Sequence, residues 1–240
     1  MGLLQFLLGA IAGDIIGYPY ERHKNSTKRT DFPLFERRSR YTDDTVFTIA
    51  VMEWLLNDEN LTWDYLANRF LHYGKKYRTK YYGSEFIEWL NDDHRQFGRE
   101  SWGNGTGMRV SPVGWFFNSL EEVENAAGAQ AKLAHNHHDA IVGAKAAAVA
   151  VFLTRTGKSK EEIKNFMCNR YGFDLSTRLR LFVLRYSATA CGILPTSIYS
   201  LRFLMVLRKA APEALSSHRT VQATASGPCH PLPNETLRSP

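Results

Sequence analysis

Two Ser-x-x-Glu boxes, Ser119 to Glu122 and Ser159 to Glu162, commit the middle of this 240-residue chain to helix. In such a box the serine hydroxyl accepts a first-turn backbone N–H while the glutamate reaches back to the serine's own N–H, so residues three apart satisfy two otherwise unpaired donors. The first box opens an Ala-rich helix to about Ala134. The second turns Ile163, Phe166 and Met167 inward and stops at Gly172, placed as a C′ glycine. Thr62 caps a run whose apolar residues Trp63, Leu66, Ala67, Phe70 and Leu71 share one helix face and end near Gly74. Asp139 to Leu153, rich in alanine with Ile141, Val142, Val149 and Val151, predicts a slim helix suited to close packing. No alternating strand pattern of comparable strength is present, so the expected fold class is all-α.

Length and a 44% hydrophobic content suffice for one sizeable core. Cys168, Cys191 and Cys229 lack paired spacing, which argues for a reducing compartment and against a disulfide framework or a cysteine metal site. The apolar N-terminal stretch has no basic flank and is interrupted by Asp14, short of the roughly 20 residues that span a bilayer. The expectation is a cytoplasmic protein without membrane contact. The net charge of +6 lies entirely beyond residue 174, where eight Lys and Arg face two acids, Glu213 and Glu235. The first 174 residues balance at 22 basic and 22 acidic, so no specific nucleic-acid binding is expected of the body. The organisation that follows is a helical domain over 1–174 and a divergent basic segment over 175–240. Its last part, 216–240, is rich in Ser, Thr and Pro and predicts disorder.

Three stretches carry candidate chemistry, together with one histidine cluster. In Tyr41-Thr42-Asp43-Asp44-Thr45 two carboxylates flanked by hydroxyls precede an apolar run; these are hard oxygen donors for Mg²⁺, Mn²⁺ or Ca²⁺, and equally a helix cap with acids complementing the dipole. Asp14 sits inside the apolar segment Leu7 to Gly17, where an unpaired charge costs several kcal/mol, and so requires a cation, an Arg or a cluster of backbone N–H groups. Gly9, Gly13 and Gly17 recur there at helical spacing and would admit close approach of a backbone or ligand. Trp102 to Pro112 holds Gly103, Gly105 and Gly107 ahead of an expected helix at Val113 to Phe117, a loop able to present N–H groups to phosphate or to serve as a simple turn. His135-Asn136-His137-His138-Asp139 reads as a transition-metal site or, more commonly, as a helix connection with solvated imidazoles.

Taken in order, Gly9 to Asp14 with Gly17-Tyr18-Pro19-Tyr20-Glu21, Tyr41 to Thr45, Gly103 to Arg109 and His135-Asn136-His137 resemble the ADP-ribosylglycohydrolase family, which includes the dinitrogenase-reductase-activating glycohydrolases. The resemblance covers about residues 6–174. It implies an all-α fold with two Mg²⁺ or Mn²⁺ ions gripping the distal ribose of ADP-ribose. It also implies a partner that is an ADP-ribosylated protein or a small-molecule ADP-ribose conjugate. By the same resemblance Thr42, Asp43 and Asp44 are metal ligands, and Glu21 is the acid that manages the attacking water. Gly103, Asn104, Gly105, Thr106, Gly107 and Met108 cradle the diphosphate, His135 contacts substrate, and Asp14 is an acid of the same cleft, structural or substrate-facing.

The family's later Gly-Asp-x-Asp-Thr motif has no counterpart here, and no aspartate follows Asp174. Half of the carboxylates that would hold the two ions are then lost, which predicts weakened metal binding. His138-Asp139 also stands where the family carries Pro-Glu. The coincidence of lost motif, lost acids and Arg-rich composition predicts that the chain from about 175 is a substitute sequence from an altered reading frame. Three readings follow: an ADP-ribosyl hydrolase with impaired metal binding, a catalytically incomplete ADP-ribose-binding module, and a helical protein whose acids only cap helices.

Overall fold

The computed structural model describes residues 3–20, 32–77, 82–93, 97–101, 103 and 105–173, with side chains from Leu7 onward. They form nine α-helices and one 3₁₀ turn. These are α1 (Leu3–Gly17), the turn Tyr18–Tyr20, α2 (Asp43–Asn57), α3 (Trp63–Lys76), α4 (Ser84–Asn91), α5 (Gly105–Met108), α6 (Ser111–Phe116), α7 (Leu120–Ala134), α8 (His138–Arg155) and α9 (Lys160–Tyr171). Among the described residues the one extended pairing is an isolated bridge between Arg99 and His135, so the all-α class holds. No helix of the described residues is long and apolar enough to cross a membrane.

Both capping boxes form with both hydrogen bonds in place, and Gly172 ends α9 with φ +69°, a left-handed conformation that favours glycine. Thr62 caps α3 by accepting from the Tyr65 N–H, and Asp58 accepts from the Thr62 N–H and hydroxyl at 2.7 Å each. The apolar face of α3 buries Leu66, Ala67 and Phe70, but Trp63 at its first turn remains 45% exposed. The α3 helix ends at Lys76, near Gly74 as expected, but Gly74 itself is still helical. A Cβ on Gly74 would stand 2.7 Å from Leu90 Cδ2, so the position is small because α4 packs against it. The α4 helix was not singled out from sequence; its eight residues follow Gly83, which caps without a side chain.

The core is built on α2, where Phe47, Val51 and Trp54 are buried, with Phe47 edge-on to Phe70 at 5.1 Å and to Phe86 at 4.8 Å. Trp54 donates its indole N–H to Thr62 O at 3.1 Å. The alanines of α8 let its neighbours approach closely: a Cβ on Gly114 of α6 would lie 2.3 Å from Ala148 O. The α9 helix is fastened to α7 through Glu124, which accepts from Arg170 Nε and Nη2 at 3.1 and 2.7 Å and from the Tyr171 hydroxyl at 2.6 Å. The disorder and altered frame expected of the chain after about 174 fall outside the described residues.

Candidate functional site

The site begins where the last turn of α1 meets the start of α2. Asp14 is buried, and its carboxylate reaches across to the first turn of α2. Oδ2 accepts from Thr42 N at 2.7 Å, Thr45 N at 3.2 Å and the Thr45 hydroxyl at 2.5 Å, while Oδ1 accepts from the Thr42 hydroxyl at 2.8 Å. Of the partners expected for this acid, the structure supplies backbone N–H groups, with two hydroxyls added. A carboxylate at a helix N-terminus accepts the donors that the helix cannot satisfy and opposes the dipole's positive end. Through these bonds Asp14 positions the Thr42–Asp44 turn, the structural one of the two roles open to it, while Oδ1, with a single donor, keeps capacity to accept another. Among the described residues a Cβ on Gly17 would meet nothing within 4 Å, so no described backbone makes the close approach that its size would admit.

Thr42 is the N-cap of α2 and accepts from Asp44 N at 3.2 Å while donating to Asp14, so the cap reading is correct as geometry. It leaves the carboxylates of the turn to other work. Asp43 is partly buried, and its acid is pushed up to about 6, chiefly by burial, with the negative charge of Asp14 adding to it. Its own helix N–H groups, Thr42 and the Arg109 guanidinium pull the other way. An acid held against ionisation by burial and a second anion is one that a hard cation would relieve. Thr42, Asp43 and Asp44 therefore fit one side of a Mg²⁺ or Mn²⁺ site. Among the described residues no group of three His, Cys, Asp or Glu side chains completes a metal site, and this also removes the transition-metal reading of the His135–Asp139 stretch.

That stretch is the expected connection between α7 and α8, with His138 exposed and His135 the imidazole that is drawn inward. His137 caps α8, its Nδ1 accepting from Asp139 N at 3.2 Å, and His138 is the first residue of the helix. His135 caps the end of α7 through its backbone and turns its ring onto the glycine turn: a Cβ on Gly103 would lie 2.7 Å from its Cε1, and one on Gly105 3.2 Å from its Nε2. A side chain at Gly103 would force the ring to shift, and one at Gly105 would press on it. Burial, with the Arg109 charge, lowers the imidazole to about 4, so His135 is neutral at pH 7, and its Nδ1 is buried without a hydrogen-bond partner among the described residues.

The expected phosphate loop is partly helical, since Gly105 to Met108 form the single turn α5. Thr106 points inward, its hydroxyl donating to Ala140 O at 3.0 Å, and Gly107 is buried. The turn is held from below by Arg109, the last residue of the Gly103–Arg109 motif, and by Gln130, which the motifs do not include. Arg109 is 2% exposed, donates from Nε to Gln130 Oε1 at 2.9 Å and from Nη2 to Gln130 O at 3.4 Å, and lies 4.6 Å over the Phe70 ring. Gln130 returns a bond from Nε2 to Thr106 O at 2.9 Å. The signal was present: an arginine directly after the glycines, between Met108 and Val110, and a glutamine among alanines on the buried face of α7. Glu21 and Asn104 lie outside the described residues; Tyr20, next to Glu21, is anchored by donating to Pro33 O at 2.9 Å and Glu36 Oε1 at 3.0 Å.

Comparison with known proteins places this arrangement in context. A sequence model of the family described as ADP-ribosylglycohydrolase matches residues 3–217, past residue 174 where the motif resemblance ended. The chain is 31% identical over 183 residues to the ADP-ribosylhydrolase ARH3 of Mus musculus and to that of Homo sapiens, covering 65% of this chain and 50% of each relative. The ARH3 of Xenopus tropicalis is 29% identical over 178 residues, covering 65% of this chain and 51% of the relative. The chain thus spans about half the length of the curated relatives it matches.

Proposed function

The chain belongs to the ADP-ribosylglycohydrolase family, and on that premise we propose that it hydrolyses the glycosidic bond between ADP-ribose and a protein side chain or small acceptor. Thr42, Asp43 and Asp44 hold Mg²⁺ or Mn²⁺ in this reading, the Gly103 to Met108 turn and His135 receive the diphosphate and sugar, and Glu21 transfers the proton. The partner is an ADP-ribosylated protein or a small ADP-ribose conjugate, met in the cytoplasm. The observation that carries the reading is the gathering of Asp43, the glycine turn and His135 around Arg109, although they come from α2, α5 and the end of α7.

The chemistry suits these groups. Cleavage at the ribose passes through an oxocarbenium-like state that needs the sugar held, a water directed and the leaving group helped. When bound, a divalent cation supplies orientation of sugar hydroxyls and water. His135 is neutral at pH 7, and its Nδ1, buried in the unliganded fold, has no hydrogen-bond partner among the described residues. The Asp14 clamp fixes the α2 turn before any ligand arrives, so its carboxylates need little reorganisation.

The second reading is an ADP-ribose-binding module without turnover, which the glycine turn and His135 alone would serve. Calorimetry with ADP-ribose, with and without Mg²⁺, together with a product assay on ADP-ribosylated protein, separates the two. The hydrolase binds better with Mg²⁺ and releases ADP-ribose. The module binds equally in EDTA and releases nothing, and absence of binding under both conditions refutes the proposal.

Asp43 also makes a pH-dependent prediction for the metal-free protein. Its folded-state value, about 6, lies above the ordinary 3.8, so the stability it confers is fully present below about pH 4 and is lost as pH rises through 6. The loss is about 1–3 kcal/mol. Asp43→Asn removes it. Urea unfolding of both proteins in EDTA at pH 4 and pH 7 is the measurement, and the difference between them cancels the opposite contribution of His135. A stability change on Asp43→Asn that is the same at both pH values would contradict the assignment.

A further inference from the structure

The chain leading into α2 presents a surface that the chemistry of the site does not use. Of the eight large apolar side chains exposed among the described residues, three fall within eight positions here: Leu34 at 37%, Phe35 at 67% and Tyr41 at 45%. The other five are spread singly along the chain, as exposed apolar side chains commonly are. Between Phe35 and Tyr41 stand Arg37, Arg38 and Arg40, all exposed, against one acid, Glu36. That acid is already engaged, by Arg38 Nη2 at 3.3 Å and by the Tyr20 hydroxyl at 3.0 Å. The surface is therefore apolar and cationic together.

Its exposure is built rather than incidental. Glu36 N donates to Ser39 Oγ and Ser39 N to Glu36 O, each at 2.9 Å, closing a turn with Arg37 and Arg38 at its tip. The Tyr20 hydroxyl lies between Pro33 O and Glu36 Oε1, and its ring packs on Phe32 at 4.8 Å. An aromatic ring held out in water by an ordered turn is an anchor for a partner. The loop also runs straight into the site, since Tyr41 precedes Thr42, whose N–H and hydroxyl are fixed by Asp14. Extended chain spans at most about 3.6 Å per residue, so Phe35 lies within about 25 Å of Thr42 and Arg40 within about 7 Å. A protein whose modified side chain enters at the Thr42–Asp44 turn therefore has its neighbouring residues within reach of this loop.

We propose that residues 34–41 dock the modified protein itself, taking an acidic segment with an apolar side chain within about seven residues of the ADP-ribosylated one. Leu34 and Phe35 cover the apolar side chain, and Arg37 and Arg40 face the carboxylates. The proposal rests on the ADP-ribose reading of the site and gives that reading a protein class. A nucleic-acid strand would also meet the arginines, but it is held by successive stacking rings along a basic groove. Here an aliphatic side chain stands beside one ring, with the next ring six positions on. Exposed charges of this kind select a partner by steering and by salt-dependent attraction.

The experiment titrates the full chain, at fixed Mg²⁺, with fluorescent peptides of one length that carry ADP-ribose through a non-hydrolysable linkage. Free ADP-ribose is the reference. The flanks compared are Glu-rich with one Leu, Ser/Gly-rich, and Lys-rich. The acidic peptide is expected to bind at least about tenfold more tightly than the Lys-rich one at low salt, with most of that preference lost near 0.5 M salt. Phe35→Ala, and Arg37→Glu combined with Arg40→Glu, should each cut the preference about threefold or more while free ADP-ribose binds as in wild type. Equal affinity for acidic and Lys-rich peptides, or a preference that both variants leave unchanged, overturns the proposal and leaves the family reading intact. So does a single-stranded oligonucleotide that displaces the acidic peptide at equal concentration. Failure of free ADP-ribose to bind wild type overturns both.

Discussion

Asp14→Ala is expected to lower the stability of the fold by about 3–5 kcal/mol, while Asp14→Asn costs about 1 kcal/mol. The difference follows from the four hydrogen bonds that the carboxylate accepts from the N–H and hydroxyl groups of Thr42 and Thr45. Alanine leaves two backbone N–H groups at the start of α2 unpaired in a buried place, and each unsatisfied donor costs about 1–3 kcal/mol. Relief of the repulsion between Asp14 and Asp43 returns a little of this. Asparagine keeps one carbonyl oxygen for the two N–H groups and turns its amide toward the Thr42 hydroxyl, which has a lone pair to receive it. Urea unfolding and thermal melting measure both variants, and the alanine protein should melt about 10 °C below wild type. Equal losses for the two variants would mean that the charge of Asp14, not its hydrogen bonds, secures α2. Because the same bonds fix the Thr42–Asp44 turn, the alanine variant should also lose any Mg²⁺-dependent component of ADP-ribose binding.

The second large effect is at Gly114. A Cβ there would meet Ala148 O at 2.3 Å and Val151 Cβ at 2.8 Å, both far inside contact distance. One of these is a helix backbone atom that cannot swing away. Relief requires α6 and α8 to move apart along a fully buried face that includes Val113 and Val149. Overpacking of this kind costs about 3 kcal/mol, so Gly114→Ala should melt roughly 6–12 °C below wild type. Gly17→Ala is the matched control. It also puts a methyl group on a helix, but where no described residue lies within 4 Å, and there alanine's greater helix propensity should stabilise by about 0.5–1 kcal/mol. If the two substitutions have similar effects, the close approach of α6 and α8 is wrong.

Much of the fold was legible because its signals are local. The capping boxes at Ser119 and Ser159, the Thr62 cap and the terminating Gly172 all work through interactions three or four residues long, and all formed where the pattern placed them. The errors came where a local pattern has more than one physical cause. Trp63 falls on the apolar stripe but sits at a helix end, where it stays exposed, and Gly74, near the end of α3, is small also because Leu90 packs on it. His135 read as part of a polar connection; its burial against Gly103 and Gly105 depends on how the end of α7 meets the turn before α5, which no local spacing records.

The chain's own order of residues was enough to establish the capped helices, the family, and the presence of an acid in α1 that had to have a partner. What that partner is, and which residues stand under the glycine turn, only the packing of helices could decide. Asp14 meets Thr42 and Thr45 across 28 and 31 positions, Arg109 meets Gln130 across 21, and Thr106 meets Ala140 across 34. A helix cap is set by a few neighbouring dihedrals, whereas these contacts form only once separate apolar faces have closed on one core. A buried charge demands compensation wherever it lies, but the identity of the compensating group is a property of the closed core.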